Sequence, residues 1–355
     1  MPGKNQTMPR ILVIGDGLAG TLITWELHRR GVSFVQWGDG SPGASDVAAG
    51  MFNPVSFRRI LPVWDARQHV EEAKACYAGL EKELNQTFWR LIPLLRIFPD
   101  AAYADAWDDR IAQGHPVSEF IERCTPGDWH ASVEAPHGAG RIREAGWVDV
   151  QLLIESSRAA WKSSEQWEKR TWEFKDGCPN GFDRVIDCRG VGAVQDLKRF
   201  GLEVRPNHGE VITVRPTEDL GSETVNNATW AMPLGDGSLR VGSTYRWDVV
   251  GPTTFASSAV ELVEKVNLAR TGEPFLKDHI EQHRGGLRPA SPDRRPLVGP
   301  LSYDDPWYVV CNGWGTRGVL IGPRTARWVV ESALNPDFQV PDEVRPQRFR
   351  SFTIN

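Results

Sequence analysis

Glycines at positions 15, 17 and 20 fall in the spacing G-x-G-x-x-G, directly after the apolar run Ile11-Leu12-Val13-Ile14. The chemistry this spacing suits is the holding of a pyrophosphate. Gly15 permits a tight turn off a strand, and Gly17 lets backbone N–H groups approach phosphate oxygens. Leu18 and Ala19 complete the turn, and Gly20 lets the following helix pack close to the sheet. The element that must position these residues is a βαβ unit. Residues 11–14 are short and β-branched enough for a strand buried on both faces. Leu22, Ile23, Trp25 and Leu27 predict a helix from Thr21 to Arg30, Gly31 stops it, and residues 32–37 predict the second parallel strand. In that context the glycines predict a dinucleotide site and not a plain turn. An acid at the end of the second strand ordinarily hydrogen-bonds the adenosine ribose. Here Gly38 occupies that place and Asp39 comes one residue late. Either a small bulge brings Asp39 to the ribose, or backbone groups hold it instead.

Two further stretches carry chemistry. Residues 38–59, GDGSPGASDVAAGMFNPVSFRR, make a long loop of small residues, and such a loop inside an α/β domain is usually functional. Ala48, Ala49, Gly50 and Met51 would let backbone pass very close to a flat ligand. Phe52, Pro54 and Val55 are too apolar for a free surface connection. Arg58 and Arg59 read either as surface charge or as ligand contacts. Residues 182–192, FDRVIDCRGVG, predict a buried strand over Val185–Cys188 and then a glycine turn, Arg189-Gly190-Val191-Gly192. Ligands of doubly wound sheets sit where strands end, so this turn is a second edge of the cleft. Cys188 reads as a small buried residue, since nothing near it in sequence would activate a thiol.

A chain of 355 residues is long enough for two interleaved domains. Charged residues make up 25% and the net charge is −5, which gives no basis for nucleic acid or an anionic membrane as partner. Cys76, Cys124, Cys178, Cys188 and Cys311 are dispersed without a C-x-x-C pair. Reduced thiols in a cytoplasmic protein are therefore expected, with no disulfide framework and no metal site. The opening residues MPGKNQTMPR lack the apolar core of a signal peptide, and no run of eighteen apolar residues could span a membrane. Fifteen tryptophans are expected mostly in cores, with some lining an aromatic pocket.

Along the rest of the chain, residues 65–85 predict a helix and residues 88–98 a strand broken at Pro93. Residues 99–140 read as an irregular excursion, and a helix is predicted from Val150 to about Trp161. Residues 208–215 and 228–247 predict strands, the latter folded into a hairpin at the Gly-Asp-Gly of 235–237. A helix over 256–270, a strand over 307–311, a loop over 312–318 and a helix over 323–334 follow.

Five blocks stand in order: GDGLAG, ASDVAAGM, FDRVIDCRG, GGLRPASPDRRPLVG and VVCNGWGTRGVLIGP. Through them the chain, over roughly residues 10–335, resembles the FAD-dependent oxidoreductases of the D-amino-acid oxidase and glycine oxidase family. The resemblance implies an α/β fold. A Rossmann-type FAD-binding domain would comprise 9–50, 141–205 and 283–340, interleaved with an antiparallel-sheet-plus-helix substrate domain of 51–140 and 206–282. Residues 341–355 would form a C-terminal tail. It places Ala49, Gly50 and Met51 beside the isoalloxazine, and backbone N–H groups of Gly315, Thr316, Arg317 and Gly318 at the flavin N1–C2=O end. FAD would be noncovalent, because the covalent-flavin cysteine of sarcosine oxidases falls just before Arg288, where glycines stand here.

The resemblance also carries Arg288 over as partner of a substrate carboxylate, a role that suits a fork-shaped cation that does not titrate. The other reading of Arg288 is a structural ion pair, for instance with Asp293. Trp230 and Tyr245 take the two aromatic pocket positions, while the family's loop arginine aligns with Thr316, next to Arg317. The implied activity is oxidation of a small amine or amino acid. Hydride would pass from Cα–H to flavin, the imine would hydrolyse, and oxygen or a quinone would reoxidise the flavin. Two alternatives are a flavin enzyme acting on a modified tRNA base, which looks similar in the AAG and NGxGxxG blocks, and a flavin-binding protein without turnover. Net acidity weighs against RNA.

Overall fold

Four consecutive apolar residues cannot all face one side of a sheet, so Ile11–Ile14 demands cover on both. All four are buried. The computed structural model describes residues 8–217, 221–271 and 273–349. Residues 1–7, read above for a signal peptide, and residues 350–355 of the predicted tail lie outside the described residues. The first unit is the expected one: β1 (Ile11–Ile14), α1 (Leu18–Arg29) and β2 (Phe34–Gly38), with β1 and β2 parallel and Ile11 opposite Phe34. It sits in a six-stranded sheet ordered Trp167–Lys169, β2, β1, Arg184–Asp187, Tyr308–Asn312, Leu297–Pro300. Every pairing is parallel but the last, which makes the sheet Rossmann-type.

The last helix corrects the sequence reading. It runs Gly318–Leu334, and Pro323, taken as its start, lies inside it. A proline there removes the N–H that would bond the Val319 carbonyl. The fully buried Tyr77 hydroxyl donates to that carbonyl at 2.8 Å, so the acceptor is not orphaned. Tyr77 stands on the helix Ala66–Leu84, close to its predicted bounds, and the bond ties the two helices together.

A second sheet has eight strands in the order Ile280–Ala290, Arg205–Val214, Leu239–Gly242, Trp230–Pro233, Thr224–Asn226, Leu94–Ile97, Ala139–Ile142, Ile121–Cys124. It is antiparallel except where Thr224–Asn226 pairs with Leu94–Ile97. The predicted hairpin is present, with its second strand ending at Gly242. The long pairing of Arg205–Val214 with Ile280–Ala290 sets Asn207 opposite Arg288.

Residues 99–140 are less irregular than expected, holding the helix Ala101–Ala112 and the strand Ile121–Cys124. Asp100 caps the helix by accepting from the Tyr103 N–H at 2.7 Å. The helix buries little beyond Ala104 and Trp107, so its apolar periodicity is faint. Gly140 makes room for the Trp107 indole, which a Cβ there would overlap.

His69, on the Ala66–Leu84 helix, is wholly buried, and neither ring nitrogen has a hydrogen-bond partner. Burial lowers its pKa from 6.5 to about 4, with the nearby Arg324 charge acting in the same direction. The native state therefore keeps the ring neutral where the unfolded chain protonates it. Stability is full above pH 6.5 and falls as pH drops towards 4, by about 3 kcal/mol for this group. Denaturant titrations across that range should show the slope, and His69→Leu should flatten it.

Candidate active site

Outside the carboxyl ends of the parallel strands lies a cleft of about 880 Å³, at the upper end of the ~300–1,000 Å³ usual for ligand sites. Gly15, Gly17, Leu18 and Ala19 line one end. Gly15 has φ +102°, and a Cβ on it would stand 2.7 Å from the Cys188 carbonyl oxygen. Gly20 does not line the cleft. It lies where α1 crosses β1, and a Cβ there would overlap the Gly15 carbonyl, so its part is to let the helix approach. The Leu18 N–H donates to Ser45 Oγ at 3.0 Å, and Ser45 also lines the cleft. Having accepted one bond, that hydroxyl keeps its proton for an anion. Ser45 was missed in the sequence because it is one small residue among many in its loop.

The adenosine end also differs from expectation. Asp39 lines the cleft, but its carboxylate accepts the Ser41 N–H at 2.8 Å and caps a turn. The carboxylate above Gly38 is that of Asp16, the variable residue between the first two glycines. A side chain at 38 would overlap it, so the glycine at the strand end and the aspartate in the turn are one arrangement. Asp16 Oδ2 lies 2.8 Å from Arg158 Nη2, an ion pair out of line for a hydrogen bond. Asp16 faces the cleft. Where a ribose lies at this strand end, as in dinucleotide folds, Asp16 is the acid placed to meet it.

At the middle of the cleft Ala49, Gly50 and Met51 form one wall. Gly50 has φ +72°, and any side chain on it would run into the Val148 carbonyl. Arg189 and Gly190 line the opposite edge. The Arg189 guanidinium turns away to Asp187 at 2.6 Å and Asp196 at 2.9 Å, so Arg189 fixes the turn and offers no side-chain contact. Asp187 is buried and also accepts from the Tyr308 hydroxyl at 2.6 Å. Asn312 joins this turn to the last loop, donating to the Gly190 carbonyl at 2.9 Å.

Gly315, Thr316, Arg317 and Gly318 all line the cleft, yet their N–H groups are not all available. The Gly315 N–H donates to Pro289 at 2.8 Å, and the Arg317 N–H to Trp314 at 3.1 Å. The N–H groups of Thr316 and Gly318, at the start of the Gly318–Leu334 helix, meet no acceptor among the described residues. The expected four donors become two.

Arg288, Trp230 and Tyr245 line the far end. Arg288 lies flat across Gly209, where a side chain would overlap its guanidinium. Its Nη1 donates to Asn207 Oδ1 at 3.1 Å, and its Cζ sits 4.8 Å over the Tyr245 ring. The alternative partner, Asp293, is engaged with Arg348 at 2.8 Å. Trp230 crosses Gly242, a Cβ on which would stand 2.7 Å from the indole Cζ2. Tyr245 is 55% exposed and forms the rim. Arg58 lines the cleft and Arg59 does not.

His279 and His283 have H-x-x-x-H spacing, a pattern that holds a metal when both stand on one helix. Here His283 stands on a strand and meets Glu210 at 2.7 Å. Among the described residues no His, Cys, Asp and Glu group of three or more is arranged for a metal.

A nucleotide cleft at the ends of parallel strands, roofed by a second sheet with its own chamber, defines a Rossmann-type enzyme that acts on a substrate beside a bound dinucleotide. The family model for FAD dependent oxidoreductases matches residues 10–332, and the chain belongs to that family. A glycine oxidase of Pseudomonas putida is 29% identical over 361 residues, covering 90% of this chain and 92% of its own. The fold is shared with a glycine oxidase from Geobacillus kaustophilus (TM-score 0.76, 21% identity, 94% of this chain and 97% of that one). It is shared too with an iminodiacetate oxidase from Chelativorans sp. BNC1 (TM-score 0.77, 23% identity, 95% and 100%).

FAD is thus the cofactor, and the cleft fits it. The N-terminus of α1 has no acid in its first turn and presents a positive end to a pyrophosphate. Asp16→Asn should weaken FAD binding by about tenfold or more, the worth of a hydrogen bond to a charged group. Titration of apoprotein with FAD, followed by flavin fluorescence, measures this. Riboflavin, which lacks the adenosine ribose, should show no such difference.

Proposed function

We propose that the chain oxidises a small amine or amino acid at its CH–NH or CH–NH2 group, with Arg288 anchoring the substrate carboxylate. The observation that carries this reading is a guanidinium facing the cleft with no carboxylate partner among the described residues. A cation so enclosed calls for a counter-ion, and a substrate carboxylate supplies one. The similarity to a glycine oxidase supports the same class of substrate.

Bound FAD supplies a two-electron acceptor for the hydride leaving Cα. The chain's own part is to bind, orient and exclude water. Arg288 takes the carboxylate with its unoccupied donor edge, Trp230 forms the apolar wall, and Tyr245 closes the rim and offers its hydroxyl. The amine must be neutral to give up hydride, and cationic side chains around it lower its pKa. Thr316 and Gly318 present N–H groups where negative charge would develop on the reduced ring.

Residues 9–50, 141–205 and 283–340 serve the cofactor in this reading, and 51–140 and 206–282 the substrate. The Ile280–Ala290 strand crosses that division and carries Arg288. Oxygen or a quinone is the proposed acceptor. No helix among the described residues is long and apolar enough to cross a membrane, and a cytoplasmic location is proposed from the unpaired thiols.

The test is anaerobic mixing of the FAD-loaded protein with amino acids and N-methyl amines, read as bleaching of the flavin band. Failure of every amine would defeat the proposal. Arg288→Lys keeps the charge but cannot make the two-pronged contact, so KM should rise by the equivalent of ~2–5 kcal/mol. Acid precipitation should release all the yellow colour. The cleft cysteines, Cys188 and Cys311, are buried, and burial holds the Cys188 thiol protonated.

A further inference from the structure

We infer that the substrate carries two carboxylates, one held by Arg288 and the second by Arg317. This rests on the proposed amine oxidation and names its substrate class. Arg317 lines the same cleft and has no ion pair among the described residues. The two arginines stand on neighbouring segments: Ala290 bridges to Trp314, and the Gly315 N–H donates to the Pro289 carbonyl. Tyr245 lines the same end of the cleft, with the Arg288 guanidinium 4.8 Å over its ring.

Burial works against the Arg317 charge, as do the cations of Arg294 and Arg295. The N-terminus of the Gly318–Leu334 helix, at which Arg317 is the cap, adds further positive potential. Three arginines near the cleft are ion-paired, whereas Arg170, at the nucleotide end, lies over the Trp37 ring, and Arg58 has no ion pair among the described residues. Arg324 meets Asp65 at 2.9 Å, Arg348 meets Asp293 at 2.8 Å, and Arg189 meets Asp187 at 2.6 Å. Among the described residues the acids lining the cleft are engaged elsewhere: Asp16 pairs with Arg158, Glu173 with Lys175, and Asp39 and Asp46 accept the N–H groups of Ser41 and Gly43. A pyrophosphate at α1 lies at the nucleotide end. A single substrate carboxylate would thus leave one guanidinium of the chamber without a counter-ion, and a second carboxylate satisfies both. The class is an amino dicarboxylate or an N-carboxymethyl amino acid.

The test uses the FAD-loaded protein and separates binding from turnover. Malonate, succinate and glutarate are compared with acetate by perturbation of the flavin spectrum. Aspartate and glutamate of both hands, and iminodiacetate, are compared with glycine and N-methylglycine by anaerobic bleaching. The best dicarboxylate should bind, and the best amino dicarboxylate turn over, at least tenfold better than the monocarboxylates. Arg317→Gln should erase that preference, whereas Arg288→Gln should weaken both classes. Equal losses for both classes with Arg317→Gln would overturn the inference: with a shifted flavin potential they would place Arg317 on the ring, and without one on the same carboxylate as Arg288. Dicarboxylates binding no better than acetate would overturn it whatever the turnover. Tight dicarboxylate binding with no amine bleaching the flavin would uphold the two-arginine chamber and defeat amine oxidation.

Discussion

The architecture depends on backbones approaching closer than side chains permit. At Gly20 a Cβ would overlap the carbonyl of Gly15, and at Gly50 it would overlap that of Val148. At Gly209 it would overlap the guanidinium of Arg288. These three sites lie on separate parts of the chain, and each sets one dimension of the cleft. The first brings α1 down onto β1, so its N-terminus points at the phosphate position. The second presses the small-residue loop against the strand Gly146–Val148, which leaves a flat wall. The third allows a large cation to lie on the sheet surface instead of standing off it. At Gly20 and Gly50 the added side chain would meet backbone that cannot move aside, whereas at Gly209 it would displace the flexible end of Arg288 from the sheet.

Charge is distributed along the cleft as deliberately as shape. Acids share the nucleotide end with Arg158 and Arg170, whereas at the substrate end Arg288 and Arg317 have no ion pair among the described residues. The helix termini follow a simpler rule: both α1 and the Gly318–Leu334 helix point positive ends at the cleft, and neither has an acid in its first turn. The cofactor and the substrate would thus be drawn in by like fields at opposite ends. Asp16 would look out of place in such a field. Arg158 resolves this by holding one carboxylate oxygen, leaving a nearly neutral pair at the phosphate end.

Much of this was legible in the sequence, for identifiable reasons. The first βαβ unit announces itself because its strand is apolar throughout, its glycines are fixed by backbone geometry, and its helix is amphipathic. Arg288 is singled out by the resemblance of its block, and its other reading, a pair with Asp293, needed the structure, where Asp293 meets Arg348. The misses share a cause, which is that pairing across distant segments leaves no local trace. The sequence places Asp39 one residue beyond the usual acid, but it carries no sign that the Asp16 carboxylate lies over Gly38, 22 residues away. The start of the last helix is misplaced by sequence alone because a proline is a good local start signal, and Pro323 lies inside the helix. Its tolerance inside the helix depends on a hydroxyl from Tyr77, far away in sequence. The helix at Ala101–Ala112 was missed because a single tryptophan does most of its packing, and periodicity needs more than one apolar contact to be visible.

The same distant pairing bears on the chemistry. Among the described residues lining the substrate end there is no carboxylate and no histidine, only a phenol at the rim and the arginines. A general base is therefore not placed beside a bound amine. The electrostatic field can take its place, because a cation held in a partly desolvated chamber raises the cost of a second positive charge nearby. An ammonium entering beside Arg288 and Arg317 would be pushed to release its proton to solvent through the open side of Tyr245, which is 55% exposed. In the proposed reading the arginines attract a carboxylate because it is negative and disfavour an ammonium beside them. A protein acid at this end would compete with that carboxylate for the guanidinium and would favour the protonated amine.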